Sequence, residues 1–189
     1  LVKAGKTLVS DIEFGSYFTN AKIIAITGSN GKTTTTMLTY HLLEKAGLDV
    51  MYGGNVGVSL CRRLLERDYE YFVLEISSFQ LDYTIHFKPF IAILLNITPD
   101  HLDRYGNSLE AYAKSKMGIA KNQGPEDYFI YTHDDPLTMK TLQKTGVKAQ
   151  LVPVSQENLL EHGAWLEESN ININLKNHKR ITFDMNILT

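Results

Sequence analysis

Lys22–Thr34, KIIAITGSNGKTT, is the stretch from which the rest of the chain is read. Lys22–Thr27 is a β-branched apolar run, the pattern of a buried strand. Gly28-Ser29-Asn30-Gly31 interrupts it as a turn. From Lys32 to Ala46 the apolar residues Met37, Leu38, Leu42 and Leu43, with His41 weakly, recur at helical spacing, and Gly47 is placed to close the helix. A strand, a glycine turn and a helix in that order form the frame of a phosphate-binding loop. Glycines let successive N–H groups turn inward, and the helix N-terminus adds partial positive charge. Gly28, Ser29, Asn30, Gly31, Lys32, Thr33 and Thr34 are therefore the candidate nucleotide-binding residues. Lys32 would reach the β- and γ-phosphates, and Thr33 would offer its hydroxyl to Mg²⁺. The usual spacing G-x-x-x-x-G-K-[ST] fails because Ile26 stands at the first glycine, leaving a shorter T-G-x-x-G-K-T. A bare G-K-T would read as an exposed lysine after an ordinary turn; strand, both glycines and helix together favour a nucleotide site.

Outward from this loop the same alternation continues. Strands are expected at Asp49–Tyr52, Tyr71–Ile76, Phe90–Ile97, Asp127–Thr132 and Lys148–Val154. Helices are expected at Val58–Arg67, Ser108–Asn122 and Asp135–Lys144. Several strands are apolar throughout. The expected fold is therefore α/β: a mostly parallel, P-loop NTPase-like sheet with helices on both faces. Ala164–Glu168, Ile171–Leu175 and Arg180–Phe183 read instead as a small antiparallel β appendage at the C-terminal end. Residues 1–20 read as a leading segment or linker, and 21–189 as the nucleotide-binding domain.

Three strands end in polar clusters on what should be one edge of a parallel sheet, where ligands bind. Gly53-Gly54-Asn55-Val56-Gly57 reads equally as a close-approach loop for a ligand or as a merely flexible one. Glu75 closes its strand either as a metal-binding acid or as an acid reaching solvent. Behind it come Ser77, Ser78, Phe79 and Gln80. Asn96–Asp103 brings Asp100, His101 and Asp103 into one short loop.

Composition removes other classes. The 21 acidic and 19 basic residues leave a formal charge of −2, no footprint for nucleic acid or an anionic membrane. Cys61 is the sole cysteine, which excludes an internal disulfide and argues against a cysteine-based zinc site. The reducing cytoplasm is the expected compartment. Ile91–Leu95, the densest apolar run, is far short of the ~20 residues a membrane helix needs.

TGSNGKTTTT, GGNVG, LEISSFQL and NITPDHLDRYG, in this order, resemble the ATP-dependent Mur ligases of peptidoglycan synthesis; SSFQL after the strand-end acid fits the branch that adds D-glutamate. The resemblance runs from about Val9 to about Leu175. It implies a monomeric enzyme that uses ATP and two Mg²⁺ ions to join D-glutamate to UDP-N-acetylmuramoyl-L-alanine through an acyl-phosphate. By resemblance Lys32, Glu75, His101 and Lys116 are the catalytic residues. Thr33, Glu75, His101 and Lys116 serve the metals, and Asn55, Ser77 and Ser78 meet the substrate. Lys116, four residues after Tyr112, matches a lysine that the family carbamylates; choosing it over Lys114 rests on the resemblance alone. It also implies a UDP-binding domain before residue 1 and an amino-acid-binding domain after residue 189. On that reading this chain is a truncated central domain that cannot complete ligation alone. Two alternatives stay open: a nucleotide-binding or hydrolysing module without ligase activity, and a Mur or folylpolyglutamate-type ligase with another acceptor.

Overall fold

The course of the chain decides which face of the sheet each helix covers. A computed structural model describes residues 5–176 and 178–188; residues 1–4 of the leading segment lie outside the described residues. The strands are β1 (Lys22–Thr27), β2 (Val50–Gly54), β3 (Tyr71–Glu75), β4 (Ile91–Leu94), β5 (Tyr128–Thr132), β6 (Gln150–Ser155), β7 (Gly163–Glu167), β8 (Asn170–Asn174) and β9 (Ile181–Asp184). They form one sheet ordered β2-β3-β1-β4-β5-β6-β7-β8-β9. Pairing is parallel from β2 through β7 and antiparallel for β7–β8 and β8–β9.

The helices are α1 (Asp11–Ser16), α2 (Lys32–Lys45), α3 (Leu60–Leu64), α4 (Ser78–Leu81), α5 (Leu109–Met117) and α6 (Pro136–Thr145). Parallel crossovers are right-handed, so a connection that steps one way along the sheet puts its helix on one face, and the reverse step uses the other. Only β1-to-β2 steps toward the β2 edge. Accordingly α2 covers one face, where Tyr40 and Leu43 pack on Ile24, Ile26, Val50 and Val73. The other five helices share the opposite face. There Ile12, Leu60, Leu81, Tyr112, Met117 and Leu142 cover Ile23, Ala25, Phe72, Leu74, Ala92, Leu94 and Phe129. Met37, Leu38 and Leu42 of α2 fall outside that contact and are exposed.

Several boundaries differ from the expected ones for local reasons. The Ser59 side chain caps α3 and starts it at Leu60, not Val58, and α3 ends at Leu64. β4 stops at Leu94 because the following backbone turns to the phosphate loop, Leu95 N donating to Thr27 O (3.0 Å) and Ser29 N to Asn96 O (2.9 Å). α5 ends at Met117, and Gly118–Ala120 tighten into one 3₁₀ turn. The C-terminal strands are not set apart from the sheet. β7 pairs in parallel with β6 through Val154–Ala164 and Ser155–Trp165, so the antiparallel hairpins extend the main sheet. Within the leading segment α1, capped by Ser10, packs Ile12 fully into the core.

Candidate nucleotide and metal site

β1 lies between β3 and β4, and the chain departs from it in both directions. The carboxyl ends of β1 and β4 therefore flank a topological switch point, the crevice in which open α/β sheets bind ligands. Gly31 caps α2 at φ 82°, a left-handed conformation that suits glycine, and the first-turn N–H groups of α2 face this crevice end without intrahelical acceptors. The loop is stitched to the chain after β4. Ser29 Oγ donates to Thr98 O (2.9 Å) and accepts from Thr98 N (3.0 Å). Asn30 N donates to Asn96 Oδ1 (2.9 Å), and Asn96 Nδ2 donates to Asn30 O (3.0 Å). The amides of Ser29 and Asn30 are thus committed to Asn96, and the phosphate cradle reduces to the glycine cap and first turn of α2, Gly31 to Thr34. Asp135, at the α6 N-cap, holds the same loop by accepting from Ile97 N (3.0 Å).

Two lysines converge on one oxygen. Lys32 Nζ folds back to donate to Gly28 O (2.9 Å) and Ser29 O (3.0 Å), and Lys116 Nζ donates to the same Gly28 O (2.7 Å). Lys116 is 1% exposed, beneath the loop, with its ammonium over the Tyr112 ring at 4.6 Å. Burial, reinforced by the Lys32 charge and opposed by Asp100, pulls its pKa from 10.5 down to about 8.

Glu75 is 3% exposed at the end of β3, the neighbour of β1. Its carboxylate accepts from Thr33 Oγ1 (2.6 Å) and from Asn55 Nδ2 (2.7 Å). The choice left open by sequence is settled in one respect: Glu75 turns to the phosphate loop, not to bulk solvent. The glycine loop after β2 is fixed as well. Asn55 N donates to Glu75 O (2.8 Å), and Gly54 has φ 101°, where a Cβ would lie 2.3 Å from Glu75 O. Close approach is therefore to the protein's own strand, and it places Asn55 on Glu75.

The remaining expected residues sit further out. Ser77 Oγ caps α4 and accepts from Gln80 N (3.3 Å), while Ser78 is buried with its carbonyl accepting from Ser115 Oγ (3.2 Å). His101 is exposed at φ 48°, its ring 5.3 Å from Phe79 and its Nε2 3.6 Å from Asp100 Oδ2. No hydrogen bond or ring contact among the described residues joins His101 to Thr33, Glu75 or Lys116, and no group of three or more His, Cys, Asp or Glu side chains forms a metal cluster. Thr33 and Glu75 do meet. A hydroxyl and a carboxylate 2.6 Å apart beside a phosphate cradle are hard oxygen donors suited to Mg²⁺, which takes few protein ligands and completes its shell with phosphate and water. Sequence reading missed Asn96 and Asp135 as anchors of the loop. The Asp-Pro step at the start of α6 is the available signal for Asp135.

A glycine-capped helix N-terminus at the switch point of a parallel sheet, with a lysine, a hydroxyl and a strand-end acid, defines a phosphate-loop nucleotide-binding domain. Residues 26–189 match the model of the Mur ligase middle domain. The chain is 50% identical over 179 residues, 95% of its length, to UDP-N-acetylmuramoylalanine--D-glutamate ligase of Christiangramia forsetii, and 51% identical over 164 residues to the enzyme of that name from Porphyromonas gingivalis. Among solved structures, MurF of Acinetobacter baumannii matches with TM-score 0.65 at 22% identity over 92% of this chain and 41% of that one. MurF of Thermotoga maritima, in complex with ADP, matches with TM-score 0.60 at 23% identity over 85% of this chain and 39% of that one. These structural likenesses carry the fold alone. The chain belongs to the Mur ligase family. It spans 40% of the length of the C. forsetii relative and 36% of the P. gingivalis one.

Proposed function

We propose that this chain is the ATP-binding, carboxylate-activating domain of a ligase that joins D-glutamate to UDP-N-acetylmuramoyl-L-alanine. In that reaction the substrate carboxylate takes the γ-phosphoryl group of ATP, and the amine of D-glutamate then displaces phosphate to form the amide. The observation that carries the reading is the Thr33–Glu75–Asn55 set on the phosphate loop of a chain about half identical to D-glutamate ligases. Residues 21–189 form this domain, and residues 1–20 connect it to a UDP-binding domain.

Lys32 turns from Gly28 O to the β- and γ-phosphates, while the glycine cap and first-turn amides of α2 hold phosphate oxygens. Thr33 Oγ1 and the Glu75 carboxylate would hold one Mg²⁺; Lys116 as its carbamate, with His101, would serve a second. Bound Mg²⁺ neutralises charge between phosphates and a carboxylate that would otherwise repel. Carbamylation requires a neutral amine. An ammonium lowered to about 8 gives Lys116 a far larger neutral fraction near pH 7.5 than an exposed lysine has. Asn55, Ser77 and Ser78 line the approach of the substrate, Asn55 by holding Glu75 and Ser77 by shaping the α4 start. The compartment is the cytoplasm, where the activated nucleotide substrate and ATP coexist, and the enzyme acts as a monomer.

The test is phosphate release by the complete gene product with UDP-N-acetylmuramoyl-L-alanine, ATP, Mg²⁺ and a panel of amino acids. Release that depends on D-glutamate supports the reading. Release independent of any amino acid would make the chain a nucleotide-hydrolysing module, and dependence on another amino acid would move it elsewhere in the family.

A further inference from the structure

α1 lies outside the residues that match the family model, yet it is tied to the loop behind Glu75 at both of its ends. At its start, Asp11 Oδ1 accepts from Gln80 Nε2 (2.9 Å), and Ser10 N donates to Tyr83 O (2.9 Å). Further along, the buried Glu13 carboxylate accepts three consecutive backbone amides, Ile85 (2.9 Å), His86 (2.8 Å) and Phe87 (2.8 Å), and the Tyr17 hydroxyl. Gln80 is the link inward. Its Oε1 accepts from Ser77 N (3.0 Å) and Ser77 Oγ (3.1 Å), closing a capping box two residues after Glu75. The amide orientation is forced, because Ser77 N can only donate and the Asp11 carboxylate can only accept. The Ser77 hydroxyl and the first turn of α4 are thus held by Gln80, and the Gln80 amide is held in turn by Asp11 of α1.

We infer that Gln80 is a positioning residue through which α1, by way of Asp11, fixes the Ser77–Ser78 loop against the site. The inference deepens the proposed function and rests on it for the identity of the substrate, but not for the coupling itself. α1 is thus a strut of the site, and Gln80 is the side chain that carries its seating to Ser77.

The relay has a charge-reversal test in the complete gene product. Gln80→Glu keeps the acceptor for Ser77 but sets a carboxylate against Asp11, whereas Asp11→Asn alone can still present an oxygen to Gln80. In the double variant, the side-chain amide introduced by Asp11→Asn donates to the new carboxylate, and the bond is remade with opposite polarity. Gln80→Glu is expected to speed amide exchange at Ser77–Leu81 by about 10-fold or more and to raise KM for the UDP-N-acetylmuramoyl-L-alanine substrate similarly, with KM for ATP unchanged. Adding Asp11→Asn is expected to return both to within about 3-fold of the parent. A double variant no better than Gln80→Glu alone overturns the inference, as does an equal rise in both KM values. If Gln80→Glu does not fold, Asp11→Ala, which leaves the capping box intact, must still speed exchange at Ser77–Leu81; unchanged exchange overturns the inference. Failure of the ligase reading would appear separately, as a parent protein without D-glutamate-dependent turnover whose exchange still responds and is still rescued.

Discussion

Replacing Lys116 with Met should stabilise the protein at neutral pH and destabilise it at high pH. The Lys116 ammonium lies under the phosphate loop, 1% exposed, with one carbonyl acceptor that it shares with Lys32. Holding its pKa at about 8 against an ordinary 10.5 corresponds to about 3 kcal/mol of native-state cost for the charged form. Below pH 8 both folded and unfolded chains carry the proton, and this cost is present in full. Between pH 8 and 10.5 the folded chain has lost its proton while the unfolded chain keeps it, so stability rises with pH and the cost vanishes. Met fills a similar volume without charge, and Gly28 O retains Lys32 as a donor. The amine's own hydrogen bond is lost, worth about 1 kcal/mol. The variant should therefore be more stable by about 2 kcal/mol at pH 7 and less stable by about 1 kcal/mol near pH 10.5. Guanidinium chloride unfolding of parent and variant at pH 7, 8.5 and 10, in buffers freed of CO₂, reads the difference; urea is avoided because its cyanate modifies amines. Groups not coupled to Lys116 titrate alike in both proteins and cancel. A stability difference that does not change sign with pH would refute the account of Lys116 as a buried, strained ammonium.

Two further outcomes follow from the same contacts. Thr33→Val keeps shape but removes the hydroxyl on Glu75, so the Mg²⁺-dependent gain in ATP affinity should fall about 10-fold while metal-free binding stays within about 2-fold, by calorimetry with and without Mg²⁺. Glu13→Ala strips three consecutive amides, the Phe87 one buried, of their acceptor and should lower stability by about 2 kcal/mol or more at pH 7 by thermal unfolding. Burial acts to raise the Glu13 pKa, but the Tyr17 hydroxyl and the amides outweigh it and lower the value below 4.5; the parent's advantage over the variant is therefore present above pH 4.5 and lost as pH falls through the lowered folded value.

The phosphate loop was legible because its signal is local: β1, two glycines and α2 lie within a few dozen consecutive residues. The parallel sheet was legible for a related reason, since strands buried on both faces read as apolar runs. What distance in sequence hides is pairing. Thr33 and Glu75 are 42 residues apart, and only the order β2-β3-β1-β4 brings the end of β3 beside the loop. The antiparallel C-terminal strands were legible as short runs between Asn-rich turns; their junction with the sheet is unusual, since β6 and β7 are parallel neighbours joined by a short irregular loop where a long crossover is the rule. α1 was absent from the expected elements because six residues show no helical period. Ser10 and Glu13 do carry the S-x-x-E signature of a helix start. Even that signal would have misplaced the glutamate, which turns away from Ser10 to the Ile85–Phe87 amides.

Charge arithmetic within the site ties the two lysines to the metal. With Lys116 as an ammonium, Lys32 and Lys116 outweigh Glu75, and only the half-exposed Asp100 carboxylate offsets them. Such a site attracts a nucleotide's phosphates without help from a metal, and Mg²⁺ would meet two ammonium groups on Gly28 O. With Lys116 as a carbamate, Lys32 faces two anions, the balance turns negative, and phosphates enter only with a cation between them. On the proposed reading, the charge on one buried side chain would thus decide whether metal is dispensable or required. ATP affinity measured with and without Mg²⁺, in CO₂-free and bicarbonate buffers, should show metal dependence rising by at least about 10-fold with bicarbonate in the parent, and no such rise in Lys116→Met. Equal metal dependence in both buffers, with the carbamate shown present by ¹³C-bicarbonate NMR, would mean that Lys116 sits under the loop without governing what the loop accepts.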